Sequence, residues 1–287
     1  MDFIREAGDT PWCLHLSYIK PHWPYIVPAP YHDMYPPETH SAVLRNDNEQ
    51  ENPHPVFGAF MEERVSKAFT NDTTRTKVIG AYMGLIKQCD DQMGRLFAWL
   101  KETGRWDDTL IVLTSDHGDY LGDYNMMLKG ALPFRAITRV PFIWSDPTDR
   151  RPATSDALAS TVDIAATILD RVGIEPFNGN QGRSLRPVMD HKTDVRDELL
   201  IEYNDGGKRL GFAQPARVRA LVTPEWRYTI YKEQDWGELY DLKNDPSETH
   251  NRWDNAAHAA TRAHLAERMN HHLMAQMDES PLADRIA

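Results

Sequence analysis

Asp116 and His117 occupy consecutive positions in TLIVLTSDHGDYLGDYNMMLKG, residues 109–130. A carboxylate next to an imidazole puts a hard and a borderline ligand side by side. That mixture suits Mn²⁺, Zn²⁺ or Fe²⁺ better than Ca²⁺, which prefers oxygen throughout. Neighbours in a strand point to opposite faces, but just past a strand end the chain can turn both toward one ion, and Gly118 permits the turn. Lys129, beyond the LGDY turn, could neutralise a non-bridging oxygen of a sulfate or phosphate group beside such an ion. His22 in KPHWPY is flanked by Pro21 and Pro24, which stiffen its approach; it could donate to the same oxyanion or protonate a leaving oxygen. Each residue alone also has a plainer reading: a capped strand end with a surface imidazole, a solvated lysine, a histidine packed among Trp23, Tyr25 and Pro21.

Chemistry of that kind needs elements to hold it. PWCLHLSYI, residues 11–19, reads as a buried strand running into a proline-punctuated stretch that can be neither helix nor central strand. Residues 38–73 form a long polar insertion with a short helix near 59–69, the length of loop that often walls or lids a site. From Thr74 to about Glu102 the apolar positions Val78, Tyr82, Leu85, Cys89, Leu96 and Leu100 predict an amphipathic helix, which Gly104 terminates. TLIVLTS follows as a strand. A strand, a helix and a strand are expected to join as a right-handed crossover with parallel strands. Their C-terminal ends would then release His22 and Asp116–His117 into one crevice, where open α/β sheets place ligands.

VPFIW (140–144) predicts another strand, and DIAATILDRVG a helix capped by Ser160 or Thr161 and stopped at Gly173. A further strand is expected at 199–203. Beyond it RVRALVT, WRYTIYK and ELYDL read as an antiparallel meander, followed by a helix burying Leu265, Met269, Leu273 and Met277. The expected division is 1–203 for an α/β core and 204–287 for a C-terminal subdomain.

The 287 residues, 41% hydrophobic, suffice for a sizeable core. A net charge of −11 argues against broad nucleic-acid binding, which relies on basic residues meeting phosphates. An acidic enzyme can still take a small anionic ester where a metal and local cations invert the field. No stretch approaches the roughly 20 apolar residues of a membrane span. The opening MDFIREAGDT has no signal-peptide pattern, and a cytoplasmic location is expected. Cys13 and Cys89 read as two buried thiols rather than a disulfide. The pair Asp90–Asp91 and the histidines 264, 271 and 272 read as solvated helix surface.

IKPHWPY, DDQMGRLFAWLKETGRWDDT, LIVLTSDHGDYLGD, LKG, RVPFIW, STVDIAATILDRVGI with GRSLRPVM, and ELYDLKNDPSET together resemble the sulfatase branch of the alkaline phosphatase-like superfamily. The flavour is that of arylsulfatases and phosphonate monoester hydrolases. The resemblance runs from about Pro11 to the last helix. It implies an α/β fold, a mostly parallel sheet flanked by helices, with a small C-terminal antiparallel sheet plus helix. It implies one divalent metal ion (Mn, Zn or Ca, a transition metal favoured by the histidine) held by Asp116 and His117, with His22 and Lys129 on the sulfate or phosphoryl oxygens; Lys20 is left outside the site.

Three departures accompany it. The Cys/Ser-x-Pro-x-Arg motif that gives the family its formylglycine nucleophile is absent: Cys13 is followed by Leu-His-Leu and Cys89 by Asp-Asp-Gln. The early metal-binding Asp residues are absent too, so the chain is expected to correspond to the C-terminal half of such an enzyme and to be inactive alone. Tyr124 stands where relatives often carry a His. Two functional classes follow: a sulfate-ester or phosphonate/phosphate-monoester hydrolase, or a non-catalytic remnant acting as an anion-binding or oligomerisation module. A phosphodiesterase or mutase reading fits KPHWPY and ELYDLKNDP less well. Unpaired strand edges would make the isolated chain aggregate or bury that surface in a homo-oligomer.

Overall fold

The computed structural model describes residues 1–44, 53–69, 71–191, 193–208 and 212–277. The chain divides into two compact units, Met1–Lys129 with Arg139–Arg151, and Gly130–Thr138 with Pro152–Ala287.

The first unit is organised on one long helix. Its helices are α1 (Asp2–Ala7), α2 (Pro55–Glu62), α3 (Arg64–Phe69) and α4 (Asp72–Glu102); its strands are β1 (Ile111–Thr114) and β2 (Phe142–Ser145). Asn71 caps α4 by accepting from the Thr73 and Thr74 N–H groups, which would otherwise be orphaned at a helix start. Two glycines let other backbone approach it. A Cβ on Gly84 would lie 2.4 Å from the Tyr31 carbonyl oxygen, and one on Gly80 2.9 Å from that of Tyr35. The proline-rich stretch therefore lies directly against the helix. The phenol of Tyr31 reinforces this by donating to Asp91 at 2.9 Å, and the Cys89 thiol does so by donating to the Lys20 carbonyl at 3.4 Å.

The expected strand at 11–19 and its parallel crossover are corrected. Those residues form no strand and pair with none among the described residues, and Leu16, Tyr18 and Ile19 are exposed, Ile19 by 82%. An apolar β-prone segment becomes a strand only where a ladder partner takes its N–H and C=O groups. Cys13 lies on this segment and is exposed, while Cys89 is half-buried; both are free thiols. The partner of β1 is β2, antiparallel, from Ile111↔Ser145 to Thr114↔Phe142. The short helix expected at 59–69 is two helices, α2 and α3. Residues 45–52 and 70 of the expected lid lie outside the described residues.

The second unit contains α5 (Arg135–Thr138), α6 (Asp163–Val172), α7 (Arg186–His191), the antiparallel sheet β3 (Leu199–Asn204), β4 (Arg217–Val222), β5 (Trp226–Tyr231) and β6 (Gly237–Asp241), and α8 (Ala259–Ala275). The meander is as expected, but β3 pairs with β4 along its whole length and so belongs to this sheet, not to a core ending at 203. Leu265 and Met269 of α8 pack on Leu221, Tyr228 and Leu239; Leu273 is only partly buried, and Met277, beyond the helix end, is exposed. The α6 start differs from expectation too. Neither Ser160 nor Thr161 caps it; the buried Asp163 carboxylate instead accepts from Ser160 N, Arg183 N and the Arg196 guanidinium. That explains the GRSL motif as fold-holding: Leu185 N–H completes it by donating to the Thr167 hydroxyl.

Under the sheet Arg227 is fully buried. Its guanidinium meets Glu248 at 2.5 Å and Glu238 at 3.1 Å, and lies over the rings of Phe134 and Tyr240. The Arg135 N–H donates to the other oxygen of Glu248. A buried charge needs such a set of partners, since leaving one carboxylate unpaired would cost about 3–5 kcal/mol. Among the described residues no helix is long and apolar enough to cross a membrane. The class is α/β with both observed sheets antiparallel.

Two glycines of α4 test the packing argument in opposite directions. Gly84→Ala forces backbone apart and is expected to destabilise the protein by about 1–3 kcal/mol. Gly94→Ala meets nothing within 4 Å and should stabilise it by about 0.5–1 kcal/mol through helix propensity. Denaturant midpoints decide this, and equal effects of the two substitutions would refute the close approach.

Candidate active site

His22, Asp116, His117 and Lys129 all fall in the first unit, and the structure brings them to one place. The Asp116–His117 couple lies just past β1, with the Ser115 hydroxyl donating to the His117 carbonyl at 3.0 Å and the His117 N–H returning to Asp116 Oδ1 at 3.0 Å. The Asp116 carboxylate is 83% exposed, and its Oδ2 stands 3.4 Å from His117 Nε2. Lys129 Nζ is in contact with the same Nε2. The rings of His22 and His117 meet edge to face, centroids 6.5 Å apart.

Hydrogen bonding fixes what each imidazole offers. A carbonyl oxygen only accepts, so its ring partner must carry the proton. His117 Nδ1–H donates to the Gly118 carbonyl at 2.7 Å, which leaves Nε2 with a lone pair turned toward Asp116 and Lys129. His22 Nδ1–H donates to the Trp23 carbonyl at 2.6 Å, and its Nε2 is likewise the nitrogen left for a ligand. Desolvation pushes the Asp116 carboxyl up, but His117, nearby N–H groups and Lys129 outweigh it, and the group titrates below the ordinary carboxylate value. Lys20 is committed elsewhere: its amine donates to the Pro24 and His22 carbonyls at 2.6 and 3.3 Å, holding its own loop.

Does a divalent cation fit this set? Two ligands bonded at about 2.0–2.1 Å to a tetrahedral ion stand roughly 3.3 Å apart. The Asp116 oxygen and His117 nitrogen are 3.4 Å apart, and the Gly118 carbonyl sets the tautomer that a ligating histidine needs. Among the described residues no group of three His, Cys, Asp or Glu side chains could hold a metal. The couple fits half of a coordination shell.

The loop between the couple and Lys129 was not legible as a site element. Tyr120, Tyr124, Asn125, Met126 and Met127 are all buried in it. Leu121, Tyr124, Asn125 and Leu128 have positive φ, as does Gly122 at 100°, where a Cβ would also collide with the Arg75 side chain. The Asp119 carboxylate organises it, accepting from the Leu121 and Leu128 N–H groups at 3.0 Å each and from the Tyr25 hydroxyl at 2.6 Å. Burial pushes that carboxyl above its ordinary value against the pull of these donors. Burial and Asp119 together push the Tyr82 phenol up to about 12. Tyr124 itself, at the position where a His was anticipated, is buried.

The model of the sulfatase family matches residues 1–174, and that of the C-terminal part of N-sulphoglucosamine sulphohydrolase matches residues 125–275. The chain belongs to the sulfatase family. Among curated relatives of this sulfatase chain, the multifunctional alkaline phosphatase superfamily protein PehA of Trinickia caryophylli is 31% identical over 91% of the chain and 55% of its own length. An arylsulfatase of Clostridium perfringens is 28% identical over 88% of the chain and 51% of its own length. The fold superposes on a phosphonate monoester hydrolase from Silicibacter pomeroyi with a TM-score of 0.87 at 32% identity, covering 96% of this chain and 58% of that one. The corresponding figures for the enzyme of Agrobacterium radiobacter are 0.85, 29%, 98% and 60%. The sulfatase chain thus spans about half the length of the curated relatives it matches. The alkaline phosphatase-like α/β class expected from its motifs is the class of these structures.

The carbonyl partner of His117 makes a spectroscopic prediction. When neutral, this ring is expected in the Nδ1–H tautomer, visible in two-bond nitrogen–proton correlation spectra of the histidines. A pattern with the proton on Nε2 would mean that the nitrogen is not presented to a cation.

Proposed function

We propose that the protein to which this chain belongs hydrolyses sulfate esters or phosphonate/phosphate monoesters, and that this chain supplies the anion-holding side of its site and half of its metal shell. The observation that carries the reading is the convergence of Lys129, His117 and His22 on one solvent-open point beside Asp116. Membership of the sulfatase family and the likeness to two phosphonate monoester hydrolases support the same chemistry.

Asp116 Oδ2 and His117 Nε2 would hold a divalent cation. The nitrogen ligand favours Mn²⁺ or Zn²⁺ over Ca²⁺. Such an ion supplies Lewis-acid charge next to the ester oxygens. The side chains do the rest. Lys129 is a compact charge on a flexible stem that can leave His117 for a non-bridging oxygen of the bound anion. His22, its Nδ1 anchored to Trp23, presents Nε2 to the same anion; as imidazolium it would give its proton to the ester oxygen, which departs as an alcohol while a nucleophile supplied elsewhere in the protein bonds to sulfur or phosphorus. The exposure of His22, Lys129 and Asp116 suits a small anionic ester arriving from solvent.

A formylglycine nucleophile does not fit either cysteine of the chain. Cys13 is exposed on a segment outside any helix or strand, Cys89 is on α4 with its thiol turned to a backbone carbonyl, and neither begins a Cys-x-Pro-x-Arg run. A second reading rests on the same observation, that of a chain that binds the anion without turning it over.

Turnover and binding separate the two. The 287-residue chain with Mn²⁺ or Zn²⁺ is expected to leave an aryl sulfate and an aryl phosphonate monoester intact while binding inorganic phosphate in calorimetry. Supplying a segment with Cys-x-Pro-x-Arg from a relative should yield hydrolysis, and His117→Ala or Lys129→Ala should then reduce it by roughly 10²–10³-fold, the effect of losing one charge-stabilising group. Hydrolysis indifferent to both substitutions would sink the assignment; phosphate binding with no hydrolysis under any supplement would select the second reading.

A further inference from the structure

We propose that Asp119, through Tyr25, is a positioning residue that fixes the distance between the anion-holding groups and the metal couple, an inference that rests on the function proposed above. Three stretches of chain carry the site: 20–25 with His22, 115–118 with Asp116 and His117, and 128–129 with Lys129. Each ends on the same carboxylate. Asp119 is two residues past His117. Its Oδ1 accepts from Leu128 N–H, one residue before Lys129, and from Leu121 N–H, both at 3.0 Å. Its Oδ2 accepts from the hydroxyl of Tyr25, three residues past His22, at 2.6 Å. Hydrogen bonds to an ionised acceptor are shorter and about twice as strong as neutral ones, so a single side chain ties all three arms.

The loop has reason to need such a tie. Four non-glycine residues between Asp119 and Lys129 hold positive φ, from 48° at Leu121 to 64° at Leu128. Conformations of this kind cost of order 1–3 kcal/mol each and persist only where the surroundings over-determine them. Both ends of that range, Leu121 and Leu128, are the residues whose N–H groups Asp119 takes. Tyr25 is itself immobilised: its ring meets those of Tyr82 and Phe69 edge to face at 6.0 and 6.4 Å. The hydroxyl therefore has one direction to point, and it points at Asp119. Tyr25 lies on the arm that carries His22, 94 residues from Asp119 along the chain.

The experiment compares Tyr25→Phe, Asp119→Ala and the double variant with the unsubstituted chain, using Mn²⁺ alone, inorganic phosphate alone and the histidine ring spectra. Tyr25→Phe cuts only the His22 arm. It should weaken phosphate by roughly tenfold, the value of a charge-assisted hydrogen bond, leave Mn²⁺ affinity within about twofold, and shift the ring signals of His22 but not His117. Asp119→Ala should weaken both ligands and shift both rings. Adding Tyr25→Phe to Asp119→Ala should change nothing further, because the shared acceptor has gone. Asp119→Glu, which keeps the charge at a longer reach, should recover part of the phosphate affinity. Losses of thermal stability with unchanged phosphate affinity and unmoved ring signals would overturn the inference. If the unsubstituted chain binds neither probe, the proposed function fails first, and the ring signals of the two single variants still decide whether Asp119 and Tyr25 place the histidines.

Discussion

One half-buried carboxylate, that of Asp119, gathers the N–H groups of Leu121 and Leu128 and the hydroxyl of Tyr25. Everything chemically interesting in the first unit lies within three residues of one of those donors or of Asp119 itself. The constraint explains a puzzle of the backbone. Irregular loops hold their geometry poorly, yet His22, Asp116, His117 and Lys129 all sit on loops, none within a strand. A site built this way needs local hydrogen bonds to do what ladder bonds do in a sheet, and a charged acceptor with several donors is the strongest local device available.

The second support is α4. Its length allows it to meet the His22 arm at four levels: Gly80 and Gly84 through backbone approach, Cys89 through the Lys20 carbonyl, and Asp91 through Tyr31. Gly80, Gly84 and Asp91, four and seven residues apart, share one face of the helix, while Cys89 lies about half a turn away from them. The glycines that admit the proline-rich stretch lie on the side of the helix away from Val78, Tyr82, Leu85, Leu96 and Leu100.

Local patterns made much of this legible. Gly104 after the α4 repeat and Gly173 after DIAATILDRV marked helix ends because left-handed C-caps are properties of a few adjacent residues, whereas the Asn71 cap of α4 was not read. The meander was legible because alternation is local too. The failures share a physical origin in partners distant along the chain. Residues 11–19 have the composition of a strand but no ladder among the described residues; β1 found its partner some 30 residues on in β2, antiparallel; β3 chose β4 over the preceding unit. The couple, His22 and Lys129 stood out by type, and their proximity follows from geometry. Asp119 and Tyr25 did not stand out, since an acid in a Gly-Asp loop and a tyrosine among prolines have ordinary local explanations. Only the 2.6 Å contact across the fold distinguishes them.

The electrostatics of the whole chain and of the site point in opposite directions, and that is informative. A net charge of −11 repels a sulfate or phosphonate ester at long range. At the site, one carboxylate faces an ammonium and two imidazoles, and the Lys129 ammonium has settled on the lone pair of His117. Nε2 can hold that ammonium or a metal ion, not both at once. On the function proposed above, a cation held by Asp116 and His117 would compete with Lys129 for that single nitrogen, whose tautomer is set by the carbonyl of Gly118, and the lysine's charge would remain for an anion.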